Sequence, residues 1–139
     1  MVRHGAFPQG STSGAEAKPF PFVCYAESED GIEWRRPSLG LYEFQGSKDD
    51  NIILSQTSGL GGSLLTIMRD SDVPASERYK GLFLPGDSSR IVAAVSEDGL
   101  RWTGLPEPLM TGYFDTQNVI THQEEIDRYV MYVRSGRSH

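Results

Sequence analysis

The sequence predicts an all-β fold built as part of a β-propeller, and three observations carry that reading. A strand–turn–strand motif, Ser-x-Asp-Gly-x-x-Trp, occurs at Ser28–Trp34 and again at Ser96–Trp102, exactly in register over 68 residues at its turn aspartates, Asp30 and Asp98. Gly (15) and Pro (8) are plentiful, which favours many short strands joined by turns. Four strand-like runs follow one another between residues 63 and 104.

The elements follow in chain order. Residues 1–18 are rich in Gly, Ser and Ala without hydrophobic period and read as a flexible tail. Arg3 is followed by no apolar core, so the stretch does not read as a secretory signal. Residues 19–35 form the last half of a blade, with strands over 20–26 and 32–35 joined by the first motif. In that motif Asp-Gly accepts the tight turn, a preceding Ser bonds turn amides, and Trp supplies a plate for packing. Each part has a structural reason, so the motif is a hairpin device first. Residues 36–62 read as a long inter-blade loop with a short strand at 52–54. A full blade then spans 63–104, with strands at 63–69, 78–84, 90–95 and 100–103. After the Pro-rich 105–108 connection, residues 113–134 hold strands at 117–122 and 128–134, the first half of another blade. The order is half a blade, a blade and half a blade. Propellers close with roughly four to eight blades, so the pattern predicts either a fragment of a longer chain or a chain that completes its sheets by self-association.

Composition bounds the partners. Apolar and charged fractions of 37% and 23% are those of an ordinary globular domain. A net charge of −6 argues against nucleic acid or an anionic membrane, which demand a basic face. No apolar run approaches the roughly 20 residues that span a bilayer. Cys24 is alone, which excludes an intrachain disulfide and a thiolate metal cluster; lying in an apolar run, it reads as core.

The run Tyr25-Ala26-Glu27-Ser28-Glu29-Asp30-Gly31-Ile32-Glu33-Trp34-Arg35-Arg36-Pro37, followed by Leu39-Gly40-Leu41, resembles bacterial proteins related to glycoside hydrolase families 32 and 43. Glu77-Arg78-Tyr79-Lys80, the second motif, and Phe114-Asp115-Thr116-Gln117-Asn118 leading to Tyr129–Arg134 match in character. The resemblance implies about two four-stranded antiparallel blades of a five-bladed propeller and carbohydrate as the partner. The Asn-Asp-Pro-Asn block and Glu-Cys pair of family 32 are absent.

Glycoside hydrolysis generally takes two carboxyl groups flanking the bond, and enzymes of the resembled families carry them on the innermost strands. Asp115, at the entry to such a strand, is the first candidate, with Asn118 beside it and Tyr113 to stack on a sugar. Its structural alternative is an Asp capping a turn. Asp70 is the second candidate, paired with Arg69 for sugar binding; its alternative is a loop ion pair. His122 and Arg134 are candidates for contacts to substrate hydroxyls, with packed histidine and edge arginine as the plainer readings. Asp49, Asp50 and Asn51 are oxygen-rich but lack calcium-loop spacing. No metal and no organic cofactor are expected. The sequence therefore points to a fragment of a glycoside-hydrolase-like propeller that binds or hydrolyses carbohydrate through pocket carboxylates. The alternative is a non-catalytic carbohydrate-binding or self-assembling β module, a homo-oligomer joined through open sheet edges.

Overall fold

The computed structural model describes residues 22–136, apart from 56, 57, 59, 61, 62 and 116. The tail expected over 1–18, and the first residues of the strand expected from 20, lie outside the described residues. What is described is all-β: nine strands in separate antiparallel sheets, none closed on itself, with short 3-10 turns at Ala75–Glu77 and Glu124–Ile126.

The centre is an antiparallel meander. Strand β3 (Ser63–Arg69) pairs with β4 (Tyr79–Leu84), β4 with β5 (Arg90–Ser96), and β5 with β6 (Thr103–Gly104). A further short strand, β7 (Met110–Thr111), foreseen by no pattern, pairs with the start of β5 through Arg90↔Thr111 and Ile91↔Met110. The Ser96–Trp102 motif makes the β5–β6 turn, and β6 is shorter than the 100–103 strand expected because the motif occupies those residues. On one side lie β1 (Val23–Cys24) and β2 (Ile52–Leu54), paired with each other. On the other lie β8 (Val119–Gln123) and β9 (Arg128–Tyr132), paired from Val119↔Tyr132 to Gln123↔Arg128. The strand expected over 32–35 is reduced to one antiparallel bridge, Glu27↔Arg35. The stretch read as an inter-blade loop contributes β2, whose three residues are all buried.

The central sheet is apolar on both faces, which is why β4 reads as an almost continuous hydrophobic run rather than an alternating one. Leu82, Leu84 and Ile91 point one way and close a core with Phe114, Ile120 and Met131. Phe83 and Ala94 point the other way and pack with Leu54, Leu60 and Val23. Period-two alternation thus sends neighbouring residues of one strand into two separate cores. Residues of β1–β2 and of β8–β9 accordingly flank the central sheet on opposite faces, and β3 and β8, the first strands of two successive sheets, lie against each other.

Cys24, expected in the core, is exposed. Alternation turns Val23 toward the central sheet and Cys24 to the opposite face of β1.

Candidate functional site

Two groups of polar side chains sit toward opposite ends of the β8–β9 pair. The first is built on the approach to β8. Phe114 is buried and anchors this segment in the core, and it bridges Ser135 beyond the end of β9. The Asp115 amide donates to the Arg134 carbonyl at 3.2 Å, and the Gly136 amide to the Tyr113 carbonyl at 3.1 Å. Asn118 is completely buried and acts as a clamp: its Nδ2 donates to the Asp115 carbonyl at 2.5 Å and its Oδ1 accepts from the Arg134 amide at 2.8 Å. A buried amide side chain satisfied by backbone on both sides fixes the local conformation. Asn118 therefore positions Asp115 and Arg134 and has no face left for a ligand. The Asp115 carboxylate lies 3.3 Å from Arg134 Nη1, and both side chains remain about half exposed or more, at 48% and 66%. Tyr113, 55% exposed, lies with its ring against Gly136, where a Cβ would meet it at 2.8 Å. An exposed ring, a carboxylate and a guanidinium thus stand along one short stretch of surface.

The second group is closed rather than open. Asp70, only 8% exposed, follows β3 and accepts a short hydrogen bond from the Tyr129 hydroxyl on β9. Its Oδ1 accepts the Asp72 amide at 3.0 Å, and Lys80 Nζ lies 3.6 Å from Oδ2. Lys80 also sits over the Tyr129 ring, 5.5 Å from its centroid, and the His122 ring lies tilted against the same ring, with centroids 4.9 Å apart. His122 Nε2 is 3.3 Å from the Asp127 carboxylate, and Asp127 itself adopts a left-handed backbone at φ 49. The Tyr129 hydroxyl, then the Asp72 amide, hold the Asp70 carboxyl below the ordinary carboxylate range against the opposing pull of burial, with Lys80 and His122 assisting. The same bond to Asp70 pushes the Tyr129 hydroxyl up to about 12. Asp70 is thereby an ionised structural anchor joining the central sheet to β8–β9. Arg69, expected to pair with Asp70, instead lies opposite Tyr79 in the β3–β4 ladder, and the cation beside Asp70 is Lys80.

The structure brings Asp115, Asn118, Tyr113 and Arg134 together, and it brings Asp70 and His122 together, but it separates the two groups. Asp115 is tied to Arg134 and Asp70 to Tyr129, five positions apart in sequence. At roughly 3.3 Å per residue of extended chain the groups stand on the order of 15 Å apart. Carboxyl pairs that work across a glycosidic bond are separated by roughly 5 to 9.5 Å, so Asp70 and Asp115 do not form such a pair. Sequence reasoning missed Tyr129 and Lys80, and the only signal for them was the Glu77-Arg78-Tyr79-Lys80 likeness to Arg128-Tyr129. Asp50, in the oxygen-rich loop, accepts the Ile52 amide at 2.9 Å and so shapes the entry to β2, and Asn51 donates to the Tyr25 carbonyl at 2.5 Å, which holds β2 beside the β1 segment. Among the described residues no cluster of three or more His, Cys, Asp or Glu is placed to hold a metal ion.

No protein-family model, no curated protein and no solved structure matches this chain.

Proposed function

We propose that the three sheets are successive blades of a glycoside-hydrolase-like β-propeller and that the Asp115 group is part of its carbohydrate site. The observation that carries this reading is the Asn118 clamp, which spends a fully buried side chain to hold an exposed Asp115–Arg134 pair beside an exposed tyrosine at the entry to β8. Sugars are bound by this combination: an aromatic face for the apolar side of the ring, and charged donors and acceptors for its hydroxyls. The stacking of sheets supports the blade reading, since β3 and β8 would be the innermost strands and Asp115 would open toward the axis. If the assembled protein hydrolyses its sugar, Asp115 supplies one carboxylate and its partner comes from another blade, because Asp70 is too distant. Asp70, Tyr129 and Lys80 serve to join blades. The second reading, a β module without catalysis, draws on the open edges of β1 and β9.

Titration with a panel of oligosaccharides, followed by calorimetry, tests the assignment. For any sugar that binds, Asp115→Asn and Tyr113→Ala each lower affinity by about tenfold or more, equivalent to about 1.4 kcal/mol, while Arg69→Ala leaves it unchanged. Equal binding by Asp115→Asn and the parent chain removes this group from the site.

A further inference from the structure

The two copies of the hairpin motif indicate what can cover the open edge of β9. Among the described residues β9 pairs only with β8. Beside it runs a groove of about 510 Å³, walled by Leu82, Ala93, Leu105 and Leu109 of the central segment and by Ile120 and Met131. Leu105 and Leu109 are 44% and 45% exposed there. In the central sheet the position equivalent to β9 is held by β4, whose second edge is covered by β5 in the register Tyr79↔Ser96, Gly81↔Ala94 and Phe83↔Val92. By the 68-residue repeat, Ser96, Ala94 and Val92 correspond to Ser28, Ala26 and Cys24. Tyr79 corresponds to Tyr129, each following an arginine at the start of the second strand of its sheet.

We infer that a second copy of this chain docks its 22–35 hairpin into the groove, pairing its β1 antiparallel to β9 and completing a four-stranded blade. The inference rests on the blade reading above, but not on the sugar. Transferring the register places Ser28 of the incoming copy opposite Tyr129, Ala26 opposite Met131 and Cys24 opposite Val133, and one position further Glu29 falls opposite Arg128. The surfaces are complementary in kind. Val92, Ala94 and Trp102 of the central sheet pack on the flanking core, whereas their counterparts Cys24, Ala26 and Trp34 are exposed in one chain, Trp34 by 64%. The groove supplies the apolar wall those residues lack. The hairpin carries Glu29, Asp30 and Glu33, and Arg128 opens the strand it meets, while the groove end is lined by Lys80 and Glu77. The fit differs at one place: Met131 stands where β4 has Gly81, which gives Trp102 its room. Trp34 therefore settles against a flexible thioether, a favourable partner for an aromatic ring. The contact is head-to-tail, so it closes only as a ring. Such a ring closes when its copies together supply the roughly four to eight blades at which propellers close.

The test uses the single native thiol. Cross-strand neighbours lie at Cα separations of roughly 4.5 to 5.5 Å, within disulfide range. Under mild oxidation Val133→Cys gives reducible intermolecular bonds to Cys24, whereas Tyr132→Cys, one register step away, does not. Light scattering of the parent chain shows a discrete ring, and Trp34→Ala weakens its association by about tenfold or more. A parent chain that stays monomeric at high concentration, or cross-linking that is equal at positions 132 and 133, overturns the proposal. Sugar titration of the same samples reports on the blade and carbohydrate reading separately, since binding by a monomer would retain that reading while this pairing fails.

Discussion

The hairpins at Ser28–Trp34 and Ser96–Trp102 are the same object in two environments. In each, the serine Oγ accepts the amides of the aspartate and the glycine, at 3.3 and 2.8 Å in the first and 3.3 and 2.9 Å in the second. In each, aspartate Oδ1 accepts the two amides after the glycine at 2.8 to 2.9 Å, and the tryptophan Nε1 donates to the glycine carbonyl at 3.2 or 3.1 Å. Both glycines sit at φ 76. The environments differ completely. Trp102 stands edge-on to Phe83 at 5.5 Å and 72°, pressed against Gly81, and Ser96 is buried. Trp34 and Ile32 are exposed. Seven residues are therefore sufficient to build the turn, while the use made of its tryptophan depends on the strand beside it.

The widest gap between the copies is expected at the tryptophans. Trp102→Ala leaves a void against Phe83 and costs about 3 kcal/mol, read as a fall in the urea midpoint. In dilute, unassociated chain Trp34→Ala costs less than about 0.5 kcal/mol. Comparable losses at the two positions would mean that Trp34 is covered in solution.

A smaller and equal effect is expected at the glycines. A Cβ at φ 76 is strained whatever surrounds it, so Gly31→Ala and Gly99→Ala each cost on the order of 1 kcal/mol of local turn stability. Hydrogen exchange at the amides of Ile32 and Leu100 separates this local loss from global unfolding. A much larger cost at Gly99 would show that the turn and the Phe83–Trp102 packing are cooperative.

The smallest effect is on acid titration. Burial pushes the Asp98 carboxyl up, but the Arg101 and Leu100 amides, the Arg101 guanidinium and the Ser96 hydroxyl outweigh it and bring it to about 2. The Asp30 carboxyl is also lowered, by the Glu33 and Ile32 amides and then Ser28. Because the folded state lowers both, each carboxylate stabilises its hairpin above the unfolded aspartate range near about 3.9, and that contribution is lost as pH falls through the folded value. Carboxyl carbon NMR across acid pH should show both below the ordinary aspartate range, with Asp98 near the value given, and Ser96→Ala should move it upward.

Much of the strand plan was legible in advance. The strand expected over 63–69 coincides with β3, and those expected over 78–84 and 90–95 differ from β4 and β5 by one residue. Apolar runs bounded by Pro, Gly and Asp mark such strands plainly. β7 was not legible, because a two-residue strand has no period of its own and exists only where β5 offers an edge. The Asp115 group was partly legible: its members lie close in sequence, and Arg134 joins them because β8 and β9 form a hairpin. The Asp70 group was not, since Tyr129 meets Asp70 across 59 residues and no spacing encodes that meeting.

By itself the sequence determined the β class, the main strands and both hairpins, because the strands are apolar runs bounded by turn residues and the hairpins rest on hydrogen bonds between residues at most three apart, whose geometry needs no distant partner. Only the tertiary structure decided that Trp102 is packed while Trp34 is exposed, that Cys24 faces outward, and that Asp70 anchors one sheet to the next while Asp115 pairs with Arg134 at the surface. Those outcomes depend on which sheet lies over which face, and a residue's burial is a property of its neighbours rather than of its own place in the chain.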